Sequence, residues 1–217
     1  MAASTVTYRL GPDAGRVVVK TTRAGLAARV GHDLTLDVTR WSADITVPGG
    51  APAEAAPAEA APGEAAPDEA APDEAAPGGD LSAATVTAEL DLGSLVVREG
   101  TGGARPLSDS DRRDIESTMR KILGGSGGSG GPATAVFRST RVIPSAAGGA
   151  IEGTLTLNGR SQPVRLQLTS PAEGRYRGTV TVVQSAFGIK PYSGFFGALK
   201  LRDEVVAEFE VDLSHAA

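Results

Sequence analysis

At 217 residues, 41% of them hydrophobic, the chain is long enough to bury a substantial core in one domain and short for two. It has no cysteine, which excludes a disulfide framework, a thiolate nucleophile and a cysteine metal site. The formal net charge is −5, but residues 51–79 hold seven carboxylates and no basic residue; without them the balance is +2, and no basic stripe with interleaved aromatics marks a nucleic-acid surface.

The first ten residues lack a basic start followed by an apolar run, and no window approaches the roughly 20 apolar residues of a membrane span. The expectation is a cytoplasmic chain as written, or an exported one if a leader has been removed. Short alternating segments at 5–10 and 16–21 predict the first strands. A weak helical turn is expected near 24–29. In 33–39, Leu34, Leu36 and Val38 alternate with Thr35, Asp37 and Thr39, and in 41–47 Trp41, Ala43, Ile45 and Val47 share one face.

Residues 51–79 repeat a five-residue unit of Ala, Pro and Glu or Asp. A proline in each unit stops a helix from propagating, and no large apolar side chain offsets the ordering entropy, so a disordered insertion is expected. Alternation resumes at 85–90. Residues 108–123 then place Ile115, Met119, Ile122 and Leu123 at helical spacing, with Ser108 and Asp111 as a capping box and Gly124 as a stop. The Gly/Ser run 124–131 reads as a flexible loop. Strands follow at 133–141, 150–157, 163–168, 175–183 and 204–213.

This pattern predicts an all-β fold: an extended antiparallel β-barrel of about eight strands, with one amphipathic helix and the Ala/Pro/Glu insertion. The single domain runs over 1–217, interrupted at 51–79 and 124–131. Inward alternation would line such a barrel with Leu36, Ile45, Leu90, Phe137, Leu155 and Leu166. The aromatic stretch 187–197, with Phe187, Tyr192, Phe195 and Phe196, suits either a plug of the barrel end or an apolar entrance.

Polar chemistry is sparse. With two histidines, His32 and His215, a histidine-ligated metal is not expected. His32 beside Asp33 reads as a turn feature or as a polar group that fixes a ligand head group. Arg112 and Arg113 read as a solvated helix end or as guanidiniums that grip an anionic head group. No serine sits in a nucleophile elbow. A catalytic set and a cofactor are therefore not expected.

Several of these residues together resemble the YceI-like family, extended antiparallel barrels similar to lipocalins that bind polyisoprenoid lipids. The resemblance rests on Asp91-Leu92-Gly93-Ser94-Leu95, on Arg113-Asp114 in the helix and on Phe137-Arg138-Ser139-Thr140. It continues in 153–159 with Pro163-Val164, and in Ser185-Ala186-Phe187-Gly188-Ile189, so that it spans about 80–213. The chain departs from the family at Glu116, Ser117 and Asn158. What the resemblance implies is an eight-stranded barrel with an apolar calyx for an isoprenoid chain and a helix near the opening. With the strand-rich pattern, the aromatic stretch and the missing catalytic set, the expectation is a non-enzymatic carrier or store for an isoprenoid lipid or quinone, without a nucleic-acid partner. Oligomeric state stays open. The rival expectation is a structural or interaction module with a filled barrel, and a His32–Asp33 acid–base pair ranks third.

Overall fold

The computed structural model describes residues 5–49, 80–125 and 133–215. The insertion expected at 51–79 and most of the Gly/Ser run lie outside the described residues. The strands are β1 (Thr5–Leu10), β2 (Gly15–Thr21), β3 (Arg23–Ala24), β4 (Asp33–Val38), β5 (Trp41–Pro48), β6 (Thr85–Asp91) and β7 (Leu95–Thr101). After the helix α1 (Asp109–Gly125) come β8 (Thr134–Ser145), β9 (Gly148–Leu157), β10 (Arg160–Ala172), β11 (Arg175–Val183), β12 (Ser193–Gly194), β13 (Leu199–Leu201) and β14 (Glu204–Asp212). The helical turn expected near 24–29 is a single 3-10 turn, Ala28–Val30.

Eleven strands form one antiparallel sheet in the order β1-β5-β6-β8-β9-β10-β11-β14-β2-β4-β7, and β12-β13-β3 form a second small sheet. The large sheet curls on itself into a half-barrel. Leu10 of one edge strand and Leu95 and Val97 of the other belong to the same buried cluster. That cluster also takes Leu36, Val38, Trp41 and Val211.

The side-chain period of two separates the faces. Arg165 pairs with Glu152, Arg177 with Glu210 and Arg175 with Asp212 directly across neighbouring strands. Each such exposed pair contributes little on its own, and the row keeps the outer face solvated. The β9–β10 hairpin closes on Asn158-Gly159, with φ of 52° and 70°, the left-handed pair a tight hairpin turn needs. Asn158 Nδ2 donates to the Phe187 carbonyl at 3.0 Å and ties this hairpin to the turn after β11.

Strand β7 is the one member of the large sheet that alternation alone did not predict. Its pairing with β4 shifts register between Thr35 and Leu36, and it runs into Gly100 and the glycines beyond. As an edge strand it carries unpaired backbone groups, and α1 supplies their partners. Glu116 Oε1 accepts from Val97 N at 2.9 Å, while Arg112 Nη1 donates to the carbonyls of Val97 at 3.0 Å and Arg98 at 2.8 Å. The helix begins as its capping box predicts: Ser108 N donates to Asp111 Oδ2 at 2.9 Å, and Asp111 N to Ser108 Oγ at 3.2 Å.

Candidate functional site

The curled sheet and α1 enclose a cavity of about 870 Å³. Leu36, Ile45, Leu90, Phe137, Leu155 and Leu166 all line it. From α1 come Ile115, Met119, Ile122 and Leu123, so the apolar stripe of the helix forms part of the wall. Several inward positions, among them Ile45, Leu90, Leu155 and Leu166, stay only half-buried. In a filled barrel facing side chains would cover them; here they border the void.

Two glycines shape this wall in a way the alternation did not disclose. A Cβ at Gly178 would stand 2.1 Å from the Phe209 ring and one at Gly153 2.5 Å from the Phe137 ring. Both rings lie flat against the strand opposite because no side chain is there, and they narrow the cavity less than upright rings would. Small residues do the same on β5 and β6, where Ala43 and Ala88 stand opposite each other and both line the cavity. The signal was available in the sequence as glycine at two inward strand positions.

The aromatic stretch divides. Phe187 is 2% exposed and packs with Val182 and Ile189 in a separate cluster, flanked by Ile122, Leu123, Leu155 and Leu157. It does not line the cavity; it braces the turn that follows β11 against the helix. Tyr192 does line it. Phe196 projects fully into solvent, so it is not part of the cavity wall. The side chain of Phe195 lies outside what is described.

One patch of the lining is polar. His32 Nε2 meets the Arg105 carbonyl at 2.8 Å, and Arg105 Nη2 meets Asp111 Oδ1 at 3.1 Å. Hydrogen bonds from Ser108 hold the Asp111 carboxyl below its ordinary range, with smaller help from Arg105 and His32. Asp33 is turned away from His32: its Oδ1 accepts from Arg23 N at 2.7 Å. The two side chains serve different partners rather than one acid–base pair.

The arginines expected to meet a head group are placed elsewhere. Arg112 is committed to the two carbonyls of β7, and Arg113 Nε donates to the Asp109 carbonyl at 3.2 Å. Neither lines the cavity. The guanidinium that does is Arg105, in the loop before α1, a position with no sequence signature of its own. Among the described residues no group of three or more potential ligands is placed to hold a metal ion.

No curated protein matches the chain. Two solved structures similar to it are a mutant CJ YCEI protein with a monobromobimane guest and a second CJ YCEI mutant made for nanotechnology applications. Each is 12% identical, with a TM-score of 0.33, and the match covers 48% of this chain and 58% of the other. The chain thus spans little more than half the length of these proteins. No helix is long and apolar enough to cross a membrane among the described residues. Residues 130–213, from the Gly/Ser run through β14, match the model of the YceI-like domain.

Proposed function

We propose that this protein binds an apolar, lipid-like molecule of the isoprenoid class in its interior and carries or stores it without converting it. The observation that carries the reading is the cavity itself. Its volume of about 870 Å³ falls within the roughly 300–1,000 Å³ of sites that hold small organic ligands, and its lining is dominated by aliphatic side chains. The YceI-like match adds the ligand class, since the family resemblance implies a polyisoprenoid.

Burial of the chain would supply most of the affinity, at about 0.8 kcal/mol for each methylene removed from water. The polar patch of His32, Arg105 and Asp111 stands where a head group would emerge, and the mutual pairing of Arg105 and Asp111 leaves little net charge to select one. Tolerance of different head groups follows. Residues 1–217 act as one barrel domain in this reading.

Extraction and mass spectrometry of lipid from the purified protein, followed by titration of the delipidated protein with a fluorescent polyprenyl probe, tests the proposal. Saturable binding of one probe per chain is expected. No extractable lipid together with no probe uptake would sink it and return the filled-barrel alternative.

A further inference from the structure

The small sheet β12-β13-β3 carries the two most exposed large apolar side chains among the described residues. Leu26 is 99% exposed and Phe196 112%. They sit on adjoining loops: Ala27 N donates to the Ala198 carbonyl at 2.9 Å, and Ala24 pairs with Lys200 between β3 and β13. Phe196 also has φ 55° and ψ 32°, a left-handed conformation that a bulky residue rarely adopts. Strain of this kind persists where the surroundings impose it, and it clusters at functional positions. Here it holds an aromatic ring away from the protein.

Charge on the same two segments is one-sided. Residues 22–32 and 188–202 contain Arg23, Arg29, Lys190, Lys200 and Arg202 and no aspartate or glutamate; the bordering Asp33 and Asp203 accept from Arg23 N and from Ser185. Arg23 is spent on the carbonyls of Gly31 and Thr101. The other four are exposed, and none forms an ion pair with another described residue.

We propose that this small sheet docks on an anionic lipid bilayer, with Leu26 and Phe196 entering the interfacial layer and the surrounding lysines and arginines facing the lipid headgroups. Fully exposed apolar tips in a cationic field suit a surface that accepts single side chains and attracts positive charge. Docking here has a geometric consequence, because Val30, Tyr192, Leu199 and Leu201 from these segments line the cavity. Val30 and Tyr192 are exposed as well, so this stretch of cavity wall would face the lipid. The inference goes beyond ligand binding, since vesicle association does not require an occupied interior.

The test is co-sedimentation of the full chain with vesicles of phosphatidylcholine alone and of phosphatidylcholine with phosphatidylglycerol in equal parts. Wild type is expected to bind the anionic vesicles at least about tenfold more tightly, with the preference weakened by salt. L26S/F196G should lose about tenfold or more in binding to them, at unchanged thermal unfolding and unchanged uptake of a polyprenyl probe from solution. K200E/R202E should lose the preference for anionic vesicles while both tips remain. Equal binding by wild type and both variants, or no vesicle binding by wild type, would overturn the proposal. A wild-type dimer in sedimentation velocity that L26S/F196G dissociates would also overturn it and assign the face to a second copy of the chain.

Discussion

Phe187 and Phe196 come from one aromatic stretch, yet the first is 2% exposed and the second 112%. Around Phe187 the chain is packed: Val182 and Ile189 are buried with it, Gln162 Nε2 reaches the Ala186 carbonyl and Asn158 holds its own carbonyl. Around Phe196 the backbone is held in a left-handed turn and the ring touches solvent. The comparison separates a brace from a probe. Packing density at one end of the stretch fixes α1 against the sheet, and a rigid platform at the other end presents a side chain that the fold itself does not need.

The sharpest way to break this contrast is Phe187→Ala. Deleting a buried ring leaves a cavity that the neighbours refill only in part, and a loss of about 3–5 kcal/mol is expected in urea unfolding. A loss below about 1 kcal/mol would mean that the cluster is not the brace described. Arg112→Ala removes the charged hydrogen bonds to the Val97 and Arg98 carbonyls of β7, with an expected loss of about 1.5 kcal/mol and faster amide exchange along α1. Unchanged exchange would show that the helix stays in place without them.

Phe196→Gly acts in the opposite sense to Phe187→Ala. Glycine accepts the left-handed conformation without strain but gains freedom in the unfolded chain, so stability should change by less than about 1 kcal/mol. A large loss would place the ring in a contact that the structure does not contain.

The smallest effect concerns acid. Hydrogen bonds from Ser214, and after them Arg175, lower the Asp212 carboxyl to about 2, and Asp91 is lowered chiefly by Arg40. A carboxyl depressed in the folded state stabilises it above the ordinary carboxylate range and loses that contribution as pH falls through the folded value. Thermal unfolding temperature should therefore fall between about pH 4 and pH 2, and Asp212→Asn should flatten part of that slope. A variant with the wild-type slope would remove Asp212 from the account.

Much of the fold was legible because one face of each strand is apolar and the other charged, so the period of two survived in ten segments of the large sheet. Strand β7 was not legible, since a register shift and a glycine run break its alternation. The six cavity positions from Leu36 to Leu166 were legible for the same reason as the strands: inward residues alternate whether they meet a core or a void. What the alternation could not say is which of these it is. That depends on Gly153, Gly178, Ala43 and Ala88, whose small size matters only once the facing ring or strand is known.

Nor did local composition separate Phe187 from Phe196, because the difference lies in one left-handed residue and in the helix that packs over the other ring. From the sequence Arg112 reads as a solvated helix end or as a cation for an anionic head group. Its role appears only when the edge of β7 is placed beside it.

Ala88→Phe puts the proposed occupancy of the interior by a lipid chain to the test. Ala88 lines the cavity between Ala43 and Phe137, and the larger side chain fills space there. In titration of delipidated protein with a fluorescent polyprenyl probe, the account predicts a loss of about tenfold or more in affinity, with unfolding still cooperative and stability changed by less than about 3 kcal/mol. Probe binding at wild-type affinity in this variant would contradict it, because the ligand would then lie outside the barrel.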